Sequence, residues 1–219
     1  MIVAIDGPAG VGKSTVAKQL ASRLGYLYLD TGALYRAVAW ATLQNGDDPT
    51  HADAVAALLP SLSIQMQFKN DTVCVSVNGK DVTGELRTPA VSAAASVVSA
   101  IPAVRAWLLP VQREIGQKGS VVAEGRDIGT KVFPAAQVKF FLEADQTVRA
   151  ERRHQELVAA GHGGAMEQTR AELAGRDNRD RSRAVAPLVP AEDAHHIDTS
   201  TLSVEEVVNQ MLAVVAAKL

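Results

Sequence analysis

Residues 2–31, IVAIDGPAGVGKSTVAKQLASRLGYLYLDT, decide the fold. Ile2 to Ile5 is a short apolar run ending at Asp6 and Gly7, the pattern of a buried strand closed by a turn. From Lys13 to Leu24, Val16, Ala17, Leu20, Ala21 and Leu24 recur at helical spacing, and Gly25 stands where a helix C-cap glycine belongs. Tyr26 to Leu29 reads as a second strand. Asp30 or Thr31 then caps a helix through Leu34, Val38 and Ala41 to about Leu43, and Asn45-Gly46 stops it. Strand, helix, strand, helix in this order predicts a parallel sheet covered by helices, an α/β fold.

Between the first strand and helix lies GPAGVGKS, residues 7–14, with the spacing Gly-x-x-x-x-Gly-Lys-Ser. Strand before and helix after are the context a phosphate-binding loop requires. Glycines at 7, 10 and 12 allow turns that converge backbone N–H groups on one point. The following helix aims its positive end at the same point. Lys13 is placed to meet the β- and γ-phosphates and the Ser14 hydroxyl to meet Mg²⁺. A chance match in a chain of this length is roughly one in a hundred from glycine frequency alone. The nucleotide-binding set is therefore Gly7, Pro8, Ala9, Gly10, Val11, Gly12, Lys13, Ser14 and Thr15, with ATP and Mg²⁺ as the implied ligands. NGKD at 78–81 approximates a guanine-reading motif, but its residue order is wrong and it sits in a hairpin turn.

Working outward, the pattern changes. Ile64 to Phe68, Thr72 to Val77 and Lys80 to Val82 read as a small antiparallel meander, turned at Lys69-Asn70-Asp71 and at Asn78-Gly79. It is an insert in the parallel pattern. Pro102 opens a helix through Val104, Leu108 and Ile115. Ser120 to Ala123, Val138 to Leu142 and His196 to Asp198 complete five sheet strands. Ser203 with Glu206 forms a capping box for a last helix.

The remaining composition bounds the class. The 219 residues carry 47% apolar and 21% charged types, enough for one large domain with a buried core. Lys plus Arg is 22 and Asp plus Glu 24, so the net charge of −2 does not fit a general nucleic-acid coater. One cysteine, Cys74, excludes an intrachain disulfide and a cysteine zinc cluster. No basic segment precedes an apolar run at the start, and no stretch of about 18 uncharged apolar residues occurs. The expectation is a cytoplasmic protein with no membrane and no nucleic-acid polymer as partner.

Arginines supply the second half of the reading. Arg36 lies a turn or so into the second helix, and Arg126 follows the strand at Ser120 to Ala123, near sheet carboxyl ends where α/β folds bind ligands. In RDNRDRSR, residues 176–183, a helix places Arg176, Arg179, Asp180 and Arg183 within an arc of about 100° and Arg181 opposite. Guanidinium groups suit phosphate, and a mobile lid carrying them is the expected use. A switch protein without an acceptor, or a small-metabolite kinase such as one acting on shikimate, are the alternatives. The arginine stripe argues against the first and the meander against the second.

Four stretches carry a resemblance: IDGPAGVGKST at 5–15, LDTGALYR at 29–36, EGRDIGTKVFP at 124–134 and RDNRDRSRAVAPLVPA at 176–191. Together the chain resembles the bacterial cytidylate kinases, of the nucleoside monophosphate kinase family, over nearly its whole length. The resemblance implies a single P-loop kinase domain over 1–219, with an acceptor-binding insert at 60–100 and a lid at 148–184. It implies transfer of the ATP γ-phosphoryl to CMP or dCMP, Mg²⁺, a five-stranded parallel sheet and a monomer. By position it assigns Lys13, Arg126, Arg176 and Arg183 to catalysis. It places Arg36, Arg126 and Arg183 on the acceptor phosphate; Ser96, Arg105 and Asp127 on the cytosine edge; Arg176 and Asp180 on the ribose. Thr31, where Ser is common in the family, joins the substrate set. Asp30, Glu124 and Asp127 are candidates for a Mg²⁺ carboxylate acting through water, and Arg149 or Arg153 for stacking on adenine.

Overall fold

The computed structural model describes residues 1–69 and 72–218. The chain folds into two compact units, Met1–Leu29 with Ile115–Leu219, and Asp30–Glu114.

The first unit is built on a five-stranded sheet. β1 (Ile2–Asp6) is central, flanked by β6 (Val121–Gly125) and β7 (Val138–Glu143), with β2 (Leu27–Asp30) outside β6 and β8 (His195–Asp198) outside β7. β1 pairs parallel with β6 and β7, and β7 parallel with β8. Val3, Ala4, Ile5, Val121, Val122, Ala123 and Leu142 are fully buried, as expected of central strands covered on both faces. The register sets Asp6 beside Gly125 and Phe141, so the loops after three strands leave the sheet at one end. α1 (Lys13–Leu24) packs on β6, and α8 (Val204–Ala216) packs on α1 and β7. The capping box Ser203–Glu206 starts α8, and Gly25, at φ 66°, closes α1 by donating to Ala21 and Ser22 carbonyls. α6 (Gln146–Ala159) and α7 (Met166–Ser182) pack on one another.

The second unit holds α2 (Thr31–Gln44), α3 (Ala52–Leu58), the meander β3 (Ile64–Lys69), β4 (Thr72–Val77) and β5 (Lys80–Asp81), α4 (Pro89–Val98) and most of α5 (Pro102–Gly116). β3–β4 and β4–β5 are antiparallel. Leu34, Val38, Val75, Val77, Val98, Val104 and Leu108 form its core. Asn70 and Asp71 lie outside the described residues, and with them the turn expected at 69–71. The second turn is present at Asn78 and Gly79, both at positive φ.

One expectation is corrected. α7 buries Leu173, Asp177 and Asp180, with Arg176 half-buried on the same side, while Arg179 is exposed. The inward face therefore carries two carboxylates rather than one, and Arg179 is not part of it. Arg183 lies just past the helix end in extended conformation (φ −62°, ψ 140°), so its position follows from the cap and not from the helical wheel.

Candidate active site

The glycine-rich loop starts at the end of β1. At Gly7 (φ 150°) a Cβ would fall against the Leu142 carbonyl, and at Gly10 (φ 74°) it would stand 2.7 Å from the Arg149 carbonyl oxygen. Both positions combine a left-handed backbone with close approach of a neighbouring strand or helix, which is why no other residue serves there. The loop ends at Lys13, which is buried and donates from Nζ to the Pro8 carbonyl at 2.6 Å. Burial and the neighbouring Arg126 hold the Lys13 ammonium well below its ordinary pKa, with Arg176 adding to the effect; Glu124 and Asp180 oppose it. Ser14 is partly exposed at the start of α1 and Thr15 exposed beside it.

Six further predicted residues of the same unit, Arg126, Asp127, Arg176, Asp180, Arg183 and Glu124, join this cluster. Arg126, just after β6, donates from Nε to Asp180 at 2.9 Å. Arg183 donates from Nε to the Ala186 carbonyl at 2.6 Å and its guanidinium lies 3.5 Å from Asp127 and 3.6 Å from Asp180. Burial raises the Asp180 carboxyl, but Arg126, Arg176 and Arg183 outweigh it and bring the pKa below the ordinary carboxylate value. Glu124 is buried at the end of β6 and accepts a short hydrogen bond from the Tyr28 hydroxyl.

Asp6 supports the loop after β6. Its two oxygens accept the Ile128 and Gly129 N–H groups, each at 2.8 Å, at the start of a π-helical turn, Ile128–Val132. Burial pushes its carboxyl up to about 6, against the pull of those two N–H groups. The folded pKa lies above the ordinary 3.8, so ionisation opposes folding and stability falls as pH rises between about 4 and 6. The drop amounts to about 3 kcal/mol from the size of the shift. Asp6→Asn is expected to lack this component. Urea unfolding across pH 4–7 should show wild type losing stability relative to the variant as pH rises, and a constant difference would contradict the assignment.

The second unit carries its own cluster. Asp30 caps α2 by accepting the Ala33 N–H at 3.0 Å, and one of its oxygens also takes Arg36 at 2.7 Å and Arg87 at 3.3 Å. Burial works to raise Asp30, but the two guanidinium groups and the N–H bring its pKa below the ordinary value. Thr31 is buried at the first position of α2, and Arg36 Nε is buried with no hydrogen-bond partner among the described residues. Ser96 is buried on α4. Arg105 is buried on α5, donates to the Ser99 carbonyl at 3.0 Å and lies over the Tyr35 ring at 5.3 Å, a cation–π distance.

Two site candidates read differently in three dimensions. Arg149 is only 5% exposed, with Nε on the Ala144 carbonyl and Nη1 shared between the Ala9 carbonyl and Asp177, a buried position that leaves little of its face for adenine. Arg153 pairs with Glu156 at 3.1 Å on the surface of α6. Asp30 gives one oxygen to the Ala33 N–H and the other to Arg36 and Arg87. Arg87 and Asp177 were not singled out in the sequence. Arg87 sits in GELRTP with no local signal, and Asp177 in a charge run that looks solvated.

A parallel sheet whose first strand runs through a glycine-rich loop into a helix, with a buried lysine and arginines gathered beyond it, is the architecture of a P-loop phosphotransferase. Comparison with solved structures agrees on the fold. An uncharacterized protein from Eubacterium ventriosum aligns with a TM-score of 0.56 at 14% identity, over 99% of this chain and 98% of its own. A gluconokinase from Sinorhizobium meliloti gives 0.50 at 17%, over 98% and 91%. The sequence profile described as cytidylate kinase matches residues 3–217. A cytidylate kinase of Geobacter sulfurreducens is 48% identical over 98% of this chain and 92% of its own length, and one of Bacillus cytotoxicus 45% over 99% and 96%. A bifunctional pantoate ligase/cytidylate kinase of Synechococcus elongatus is 48% identical over 96% of this chain, which spans 41% of that protein's length. The chain belongs to the cytidylate kinase family. No single helix among the described residues is long and apolar enough to cross a membrane.

Proposed function

We propose that the chain transfers the γ-phosphoryl of MgATP to CMP or dCMP, giving ADP and the corresponding diphosphate. The observation that carries this reading is the gathering of Lys13, Arg126, Arg176 and Arg183 about Asp180 beside the glycine-rich loop, with Arg126 at 2.9 Å and Arg183 at 3.6 Å from that carboxylate. Like charges held together in a buried place are unfavourable until an anion neutralises them, and a bound triphosphate does so.

The loop N–H groups and Lys13 hold the donor. Arg126 and Arg183 grip the acceptor phosphate with Arg36, whose buried Nε offers a further donor. Phosphoryl transfer asks the protein for in-line placement and for neutralising charge on the migrating group, not for a covalent intermediate. Asp180 and Asp127 serve as spacers in this scheme. They fix the guanidinium groups of Arg126 and Arg183 so that little reorganisation accompanies the reaction. Arg176 and Asp180 meet the ribose. Asp127, Ser96 and Arg105 read the cytosine edge, where buried polar groups reject a base that leaves them unpaired. Residues 60–100 serve as the acceptor-binding insert and 148–184 as the lid. Every proposed site residue comes from one chain, so a monomer suffices.

Mg²⁺ fits the donor set. Among the described residues no group of three or more His, Cys, Asp and Glu forms a metal cage, and the ion favours substrate phosphates, water and few protein oxygens. The Ser14 hydroxyl would hold it, and it would neutralise charge on the β- and γ-phosphoryl oxygens.

Initial rates with MgATP and a panel of monophosphates test the function. CMP and dCMP should give the highest kcat/KM. A clear preference for AMP, or for a non-nucleotide acceptor, would overturn the reading.

A further inference from the structure

We propose that Arg149 and Thr199 are positioning residues for the donor phosphates, each pinning an outward-facing carbonyl of the glycine-rich loop and so aiming the next N–H inward. The inference deepens the donor half of the proposed function and rests on it.

In a trans peptide the C=O and the following N–H point in opposite directions, so a fixed carbonyl fixes the N–H. Arg149 Nη1 donates to the Ala9 carbonyl at 3.1 Å, which turns the Gly10 N–H the other way. Thr199 Oγ1 donates to the Val11 carbonyl at 3.1 Å, which does the same for the Gly12 N–H. Both side chains act from behind the loop, and both are buried.

Each of the two is itself held. Arg149 Nε donates to the Ala144 carbonyl at 3.1 Å and Nη1 also to Asp177 at 2.6 Å, so the base of α6 and the inward face of α7 share one guanidinium with the loop. The Arg149 backbone packs against Gly10 closely enough to exclude a Cβ there. Thr199 follows β8. Its N–H already donates to the Glu143 carbonyl at 2.8 Å, and Arg152 donates to its hydroxyl at 3.1 Å and to its carbonyl at 2.6 Å. With Arg152 supplying a proton to Oγ1, the hydroxyl's own proton is directed toward two main-chain acceptors, the Val11 carbonyl at 3.1 Å and the Glu143 carbonyl at 3.2 Å; the latter already accepts the Thr199 N–H.

A buried ion pair such as Arg149–Asp177 is a poor source of stability, because desolvation offsets the attraction. Orienting peptide dipoles toward an anion is a better account of its place. It also links the donor site to α7: Asp177 lies one residue beyond Arg176 and three before Asp180.

Thr199→Val removes the hydroxyl at nearly constant volume, and Thr199→Ser keeps it. Equilibrium dialysis with MgATP alone, without acceptor, should show affinity about tenfold weaker for the valine variant and near wild type for the serine variant, the size expected from losing one oriented hydrogen bond. KM for CMP should stay within about twofold. Amide hydrogen exchange should quicken at the loop and not across the sheet. Arg149→Lys, which keeps the charge beside Asp177 but loses the fork, should weaken ATP in the same way. Unchanged ATP affinity in Thr199→Val, a serine variant as impaired as the valine one, or exchange quickened throughout the sheet would overturn the proposal. Wild-type protein that binds ATP yet phosphorylates no cytidine monophosphate would sink the kinase reading and leave this inference standing.

Discussion

Lys13→Ala is expected to fold and to lose on the order of 10²–10³ in kcat, the effect of removing one preorganised donor from developing charge. Lys13 ends the loop and its Nζ lies 2.6 Å from the Pro8 carbonyl. Its lowered pKa reports burial and the nearby Arg126 and Arg176, offset only in part by Glu124 and Asp180, and a bound triphosphate favours the charged form. The loss should fall on kcat more than on KM for CMP, because the lysine serves the migrating phosphoryl. Circular dichroism and unfolding should show a native fold, since removing Lys13 also relieves repulsion from Arg126 and Arg176. A kcat within tenfold of wild type would take the loop out of the mechanism.

The second large effect is at Arg183. Arg183→Ala should cut kcat/KM by about 10²-fold or more, whereas Arg181→Ala, on an exposed position of the same helix end, should stay within about twofold. Arg183 is buried between Asp127 and Asp180, so its loss leaves two buried carboxylates with fewer partners. Breaking a buried pair in this way costs about 3–5 kcal/mol of stability. Arg126 still holds Asp180 at 2.9 Å, which limits the damage there and leaves Asp127 the more exposed of the two to repulsion. Arg183→Lys separates the roles: a point charge should recover stability but not the acceptor KM, because it lacks the planar fork. Equal impairment in Arg181→Ala and Arg183→Ala would contradict the placement of Arg183 in the site.

Much of this was legible in the sequence, where chemistry and position coincide locally. The first strand, loop and helix were readable because apolar spacing, glycines and the lysine all lie within 30 residues. α1 runs from Lys13 to Leu24 and the β2–α2 junction falls at Asp30, as the spacing predicted. The hairpin at Asn78-Gly79 and the capping box at Ser203 were likewise local signals. α4 was harder, since PAVSAAASVV is built of small residues and its buried Ala94 and Ala95 are the same type as its exposed Ala90 and Ala93. α6 hides for the opposite reason: Arg149 and Ala150 are its buried residues, so the inward face includes a charge. Pro110 sits inside α5, where the missing N–H argues against a helix, yet Val104 and Leu108 are fully buried on it and packing prevails.

The site was legible as a set of residue types and not as a set of partners. Nothing near Asp177 in the sequence marks it as the counter-ion of Arg149, 28 positions away, and nothing near Asp6 marks it as the acceptor for N–H groups at 128 and 129. Such pairings are made by the crossing of strands and helices, and local periodicity carries no trace of them. The same holds for Arg179 and Arg183. A helical wheel placed both inward, but the helix ends at Ser182 and the cap, not the wheel, sets Arg183.

Transfer of phosphoryl from ATP to a cytidine monophosphate held by guanidinium groups is tested by following the label from γ-³²P-ATP in a single turnover with CMP and Mg²⁺. The label should appear in CDP, with ADP formed in equal amount and little inorganic phosphate. Label released as inorganic phosphate at a rate indifferent to CMP would contradict it.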